Sequence, residues 1–216
     1  MSDSTPSILV LISGSGSNLQ ALIDASQSPR LPGKITHVIS NKKSAYGLTR
    51  AANHSIPTSY HNLVPYKKQY SDIAEARSVY DADLAKLILE QKPDMVVCAG
   101  WMHILSMSFL TPLADANIPI INLHPALPGM FDGARAIERA KEAFERGEIS
   151  GTGVMVHYVI GEVDRGEPIV VRDVEMKVGE SLDDLEARIH AVEHEAIVEG
   201  ARIVLEKLVK ERAGQQ

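Results

Sequence analysis

The sequence predicts an α/β fold: a single domain on a mostly parallel twisted sheet, Rossmann-like in its N-terminal half, with an antiparallel excursion near the C-terminus. Three observations lead there. Short apolar runs at Ile8–Ile12, Thr36–Ile39, Met95–Ala99 and Ile118–Ile121 have the continuous hydrophobicity of strands buried on both faces. Helical periodicity fills most of the intervals between them, as parallel crossovers require. The run Thr152–Val159 alternates instead, and after the polar turn Gly161–Glu167 the run Ile169–Val174 returns as an antiparallel partner.

Bulk properties narrow the class of protein. With 216 residues, 44% hydrophobic and 23% charged, the chain can bury a sizeable core. The alternation of strand and helix is unbroken, so residues 1–216 read as one domain, with 1–7 a flexible leader and 209–216 a frayed tail. A formal net charge of −6 argues against a nucleic-acid surface, yet leaves room for a small anion in a local pocket. Cys98 is the only cysteine, which excludes an internal disulfide and fits a reducing compartment. No basic leader and no apolar run of bilayer length is present, so a cytoplasmic protein without a membrane partner is expected.

The first run, Ile8–Ile12, leads into Ser13-Gly14-Ser15-Gly16-Ser17, and Asn18 to Ile23 open a helix. A loop of small residues before a helix N-terminus leaves backbone N–H groups free, and with the helix dipole these favour an anion. A tight turn with no ligand is the plainer alternative. A dinucleotide is the wrong anion: Leu19 stands at the third glycine position, and Ser40-Asn41-Lys42-Lys43 supplies no acid for a ribose hydroxyl. A phosphate monoester fits better.

A helix over Ala45–His54 and an extended Pro57–Tyr60 come next, then an irregular Asn62–Ser71 and a long helix over Ile73–Gln91. Ala76, Val79, Tyr80, Leu84, Leu87 and Ile88 form that helix's apolar face. Arg77, near its start, reads by periodicity as a solvated surface residue. Past Met95–Ala99, Trp101 among large apolar neighbours offers either a wall for a flat aromatic ligand or ordinary core packing. By itself His103 reads as a satisfied polar residue.

Ile118–Ile121 ends in Asn122 and His124, two apart and so facing one side, before Pro125 and Pro128 stop the strand. A carboxamide donor beside an imidazole can handle a negative oxygen and a proton. A helix over Ala134–Arg146 follows. Asp164 reads most simply as a turn residue. The last helix starts at Ser181 with Asp184 completing a capping box and continues to about Leu208. Glu193 falls at the edge of its stripe of Leu182, Leu185, Ile189, Val192 and Ala196, where a lone carboxylate needs a partner or a purpose. His190-Ala191-Val192-Glu193-His194 matches the H-x-x-E-H zinc pattern, but no third ligand is evident in the residues that follow.

Read in order, ISGSGSNLQALID, SNKKSAYGL, PDMVVCAGWMHILS, INLHPALPG and VHYV…EVDRGEPIV resemble the phosphoribosylglycinamide formyltransferase family from Ile8 into the last helix. The resemblance implies the formyltransferase fold and transfer of a formyl group from 10-formyltetrahydrofolate, a co-substrate, to the glycinamide ribonucleotide amine in purine biosynthesis. It implies no metal, small-molecule partners only, and a monomer or weak homodimer. It assigns Asn122, His124 and Asp164 as the catalytic set. Gly14, Ser15, Gly16, Ser17 and Asn18 would hold the ribonucleotide phosphate, with Glu193 and His190 toward the amine end. The folate would lie along Met102, His103, Ile104 and Leu105, Asn122, and Ile160, Gly161, Glu162, Val163 and Asp164, with Arg77 near it. Many bacterial members have Arg at the position of His103 and Gln at that of His190. A hydrolase releasing formate from the same donor is the rival within folate enzymes.

Overall fold

The computed structural model describes residues 5–214. Seven strands form one sheet: β1 (Ser7–Ile12), β2 (Lys34–Ser40), β3 (Thr58–Tyr60), β4 (Met95–Cys98), β5 (Ile120–His124), β6 (Gly151–Tyr158) and β7 (Pro168–Glu175). Their order is β3-β2-β1-β4-β5-β6-β7. All pairs among β1–β5 are parallel, whereas β6 runs antiparallel to both β5 and β7. This is the α/β architecture expected from the apolar runs and the alternating C-terminal pair.

Helices cover both faces, because strands with two apolar faces must be buried on both sides. α1 (Ser17–Ser26), α2 (Tyr46–Asn53), α6 (Ala136–Glu145) and α7 (Leu182–Gly214) enclose a core with Val10, Ile12, Ile121 and Val156. On the other face, α4 (Ile73–Gln91) and α5 (Met107–Asp115) close over Leu9, Leu11, Val96 and Cys98. None of these helices is long and apolar enough to cross a membrane.

Several local expectations need correcting. The stretch expected to be irregular contains α3 (Val64–Gln69), which Asn62 starts by accepting the Val64 N–H at 2.8 Å and Pro65 preorganises at the first turn. α5 was not anticipated, because Pro112 lies inside it and blurs the helical pattern. α6 begins later than expected, after Arg135 in a left-handed conformation. Ser7 belongs to β1, and α7 stays helical to Gly214, so regular structure reaches into both segments expected to be loose. Residues 1–4 and 215–216 of those segments lie outside the described residues. Ser181 does cap α7: its hydroxyl accepts the Asp184 N–H at 3.1 Å and donates to the Asp184 carboxylate at 2.7 Å.

Candidate active site

A parallel sheet opens a crevice where adjacent strands are followed by connections leading to opposite sides. Here β1 is flanked by β2 and β4, so the loops leaving β1 and β4 diverge at their C-terminal ends. Two hydrogen bonds tie those loops at their base: Ser13 N–H to the Gly100 carbonyl at 3.0 Å, and Met102 N–H to Ser13 Oγ at 2.8 Å. Between them lies a cavity of about 680 Å³, completed by β5, the 133–137 and 160–164 segments and α7.

At one end is the Gly14–Asn18 loop. Gly16 caps α1 with φ +71°, and an added Cβ would lie 2.6 Å from Gly47 Cα, so both conformation and space call for glycine. Among the described residues the Ser15, Gly16 and Ser17 N–H groups donate to no carbonyl of the turns and loops. Beside this loop, Glu193 is 5% exposed and accepts from Asn18 Nδ2 at 3.2 Å. Burial pushes its carboxyl pKa above the usual range, against the opposing pull of the His190 charge and the Asn18 bond. His190 is half exposed and stands 4.0 Å from the same carboxylate.

At the centre, register places Asn122 directly opposite His157 on β6. Asn122 Nδ2 lies 3.2 Å from His157 Nε2 and 3.2 Å from Asp164 Oδ1. His157 Nδ1 donates to the Tyr158 carbonyl at 2.8 Å, and its Nε2 also stands 3.4 Å from Asp164 Oδ1. His124 Nε2 donates to the Met130 carbonyl at 3.2 Å, and its Nδ1 faces Asp164 Oδ2 at 3.4 Å. Asp164 is therefore more than a turn residue. It is held at φ +54°, a conformation Asp tolerates better than most residues, and it also accepts the Gly133 N–H at 2.8 Å. Burial alone would raise its pKa. The His157 and Gly133 hydrogen bonds and the nearby His124 and His157 charges outweigh burial and hold it below the usual carboxylate range.

The other end is apolar. Met102 and Ile104 are 67% and 60% exposed at the cavity, facing Ile160 and Val163 from the opposite loop. Trp101 lines the cavity and also packs into the core, so the two alternatives for it coexist. His103 turns its Nε2 away, to Asp81 Oδ1 at 2.7 Å, while Asp81 Oδ2 accepts the Ser106 N–H at 2.8 Å. Asp81 is wholly buried and so anchors the apolar loop from beneath.

Every site residue that the resemblance assigns lines this one cavity, Arg77 included. His157, Asp81 and Gly133 were missed. His157 gave a signal, since a histidine facing inward on an alternating strand must find polar partners; Asp81, inside an apolar helix face, gave one of the same kind. The zinc pattern does not assemble: Glu193 turns to Asn18, and among the described residues no group of three or more His, Cys, Asp or Glu side chains is arranged to hold a metal.

Comparison with known proteins identifies the family. The formyl transferase family model matches residues 7–200. Phosphoribosylglycinamide formyltransferase of Schizosaccharomyces pombe is 54% identical, with 92% of this chain and 97% of the relative covered. The Saccharomyces cerevisiae protein of the same name is 52% identical over 94% of this chain and 99% of the relative. A crystal structure of glycinamide ribonucleotide transformylase 1 from Symbiobacterium toebii superposes with a TM-score of 0.80 at 34% identity, covering 94% of this chain and 89% of that one. With a family match spanning all seven strands and relatives more than half identical along nearly their full length, the chain belongs to the formyl transferase family.

Proposed function

We propose that this formyl transferase moves the formyl group of 10-formyltetrahydrofolate to the amine of N1-(5-phosphoribosyl)glycinamide, giving formylglycinamide ribonucleotide and tetrahydrofolate in purine biosynthesis. The yeast relatives carry the corresponding name. The observation that supports it most is the meeting of Asn122, His124 and Asp164 midway between a loop suited to phosphate and an apolar wall suited to a flat ring.

The ribonucleotide phosphate lies against the bare amides of Ser15, Gly16 and Ser17 at the start of α1. Glu193 and His190 receive the amine end. The donor's ring system packs against Met102, Ile104, Ile160 and Val163, whose exposed apolar surface fits such a ligand. Attack by the amine forms the new N–C bond and puts a negative charge on the formyl oxygen. Breaking the bond from carbon to N10 then needs a proton delivered to that nitrogen.

Asn122 and His124 donate to the developing oxyanion, His124 by giving up its Nε2 bond to the Met130 carbonyl. In the free site Asn122 Nδ2 already donates to Asp164 and touches His157, so donation to substrate exchanges the Asp164 bond for one to the formyl oxygen. A single such donor stabilises the transition state by about 3–4 kcal/mol. Asp164, held ionised by its neighbours, faces His124 Nδ1 and relays the amine proton toward N10. Holding two substrates in one cavity supplies much of the remaining rate.

The two-substrate assay tests this reading. Tetrahydrofolate should form only when the ribonucleotide is present. Equal release without an acceptor would make the protein a hydrolase of the donor and reject the transfer reaction.

A further inference from the structure

Arg50 belongs to none of the described ion pairs; it directs its donors to the anion-binding loop instead. Its Nε donates to the Ser15 carbonyl at 2.9 Å and one terminal nitrogen to Gln20 Oε1 at 3.3 Å. The guanidinium lies over the Tyr46 ring, 5.0 Å from its centroid, which fixes the fork from below. One turn earlier on α2, Gly47 N–H donates to the Gly14 carbonyl at 3.2 Å.

Two successive loop carbonyls are thus held by α2. A trans peptide points its N–H opposite to its C=O, so binding the Gly14 and Ser15 carbonyls on the α2 side turns the Ser15 and Gly16 N–H groups the other way. Gly47 permits this close approach: an added Cβ would meet Ile12 Cδ1 at 2.5 Å and Gly16 Cα at 3.2 Å. The Arg50 charge also reaches α7 across the loop. It adds to burial and the His190 charge in lowering the pKa of His194, against the pull of Glu195.

We propose that Arg50 is a positioning residue for the ribonucleotide phosphate, fixing the Ser15–Gly16 peptide with its amide turned toward the anion and adding positive charge behind it. It builds on the ribonucleotide site proposed above and concerns affinity for that substrate alone.

The test compares wild type with Arg50→Met, which keeps length and packing on Tyr46 but removes charge and donors, and with Arg50→Lys, which keeps charge without the fork. Arg50→Met should raise the ribonucleotide KM about tenfold or more, the usual scale for losing a charged hydrogen bond. Saturated kcat and donor KM should stay near wild type, and Arg50→Lys should recover part of the loss. Calorimetric titration with ribose 5-phosphate should give the same ranking without any chemistry. Unchanged KM and ribose 5-phosphate affinity in Arg50→Met would overturn the proposal. So would a parallel loss of kcat, donor affinity and Tm, which marks a packing residue. Were the wild type to bind ribose 5-phosphate through Arg50 yet transfer no formyl group, the reaction assignment would fall and the role of Arg50 would stand.

Discussion

Asp164 and His124 face each other at 3.4 Å although one lies in a surface loop and the other on a buried strand. The loop is carried to the strand by Arg165, whose Nε donates to Asp132 at 2.7 Å, and by the Gly133 N–H on Asp164 itself. Asp164→Asn keeps the shape and removes the charge. It should lower kcat by about 10²–10⁴, the range of a lost acid–base group, with substrate KM values little changed. Because the folded-state pKa of Asp164 is depressed, its contribution to stability is present above the ordinary carboxylate range and fades as pH falls through the lowered value. The Tm deficit of Asp164→Asn should therefore be seen at neutral pH and vanish in strong acid. Wild-type kcat from this variant under saturating substrates would remove Asp164 from the reaction.

Asn122→Ala should cost about 10²–10³ in kcat, the scale for one oxyanion donor. The variant leaves His157 Nε2 and Asp164 Oδ1 each short of a partner, so Tm should also fall modestly. Circular dichroism and steady-state rates on the same preparation separate the two effects. Undiminished kcat would mean that another group meets the oxygen.

Much of this was legible before the structure because parallel strands announce themselves as apolar runs. Asn122 and His124 were legible as a pair because side chains two apart on a strand share a face. What escaped was set by tertiary contact. His157 meets Asn122 only through the β5–β6 register, and no local pattern states that register. Asp164 reads as a turn residue until the loops around Asp132 and Arg165 fold onto each other, so only family resemblance singled it out. Asp81 did carry a signal, an acid inside an apolar helix face, but its partners His103 and Ser106 come from a separate loop that no local pattern names.

Glu193 should show a trade between stability and binding. Its folded-state pKa is raised, so the folded protein holds this proton more tightly than the unfolded chain, and stability is lost as pH climbs from the ordinary carboxylate range through the raised value. Glu193→Gln removes that penalty while its amide oxygen still accepts from Asn18. Tm at neutral pH should rise, by about 2–4 °C for each kcal/mol recovered, while ribonucleotide KM rises through loss of the charge that meets the amine. A variant with lower Tm and unchanged KM would contradict both halves.

Ser17→Asp tests the phosphate end. Ser17 is the first residue of α1, and its N–H is among those free to meet an anion. A carboxylate there competes with and repels the phosphate, although it suits the helix dipole and should not unfold the protein. Ribonucleotide KM should rise at least about tenfold, more at low than at high ionic strength, with donor KM unchanged. An unaltered ribonucleotide KM would place the phosphate elsewhere.

Gly166 connects the fold to the chemistry in a way that a backbone change can read. A Cβ on it would sit 1.6 Å from the Tyr158 carbonyl oxygen, a separation no rotamer relieves, so Gly166→Ala must push the segment after Asp164 away from β6. The Tyr158 carbonyl is also the group that fixes His157 Nδ1, so the shift disturbs both partners of Asn122 at once. Gly179→Ala is the control: at φ +77° with nothing within 4 Å, it incurs only the conformational cost, about 1–2 kcal/mol, in a turn remote from the cavity. Both variants should lose Tm. Only Gly166→Ala should also lose kcat, by tenfold or more if Asp164 and His157 act as placed. Equal kcat in the two variants at a temperature where both are folded would separate the position of this loop from the rate.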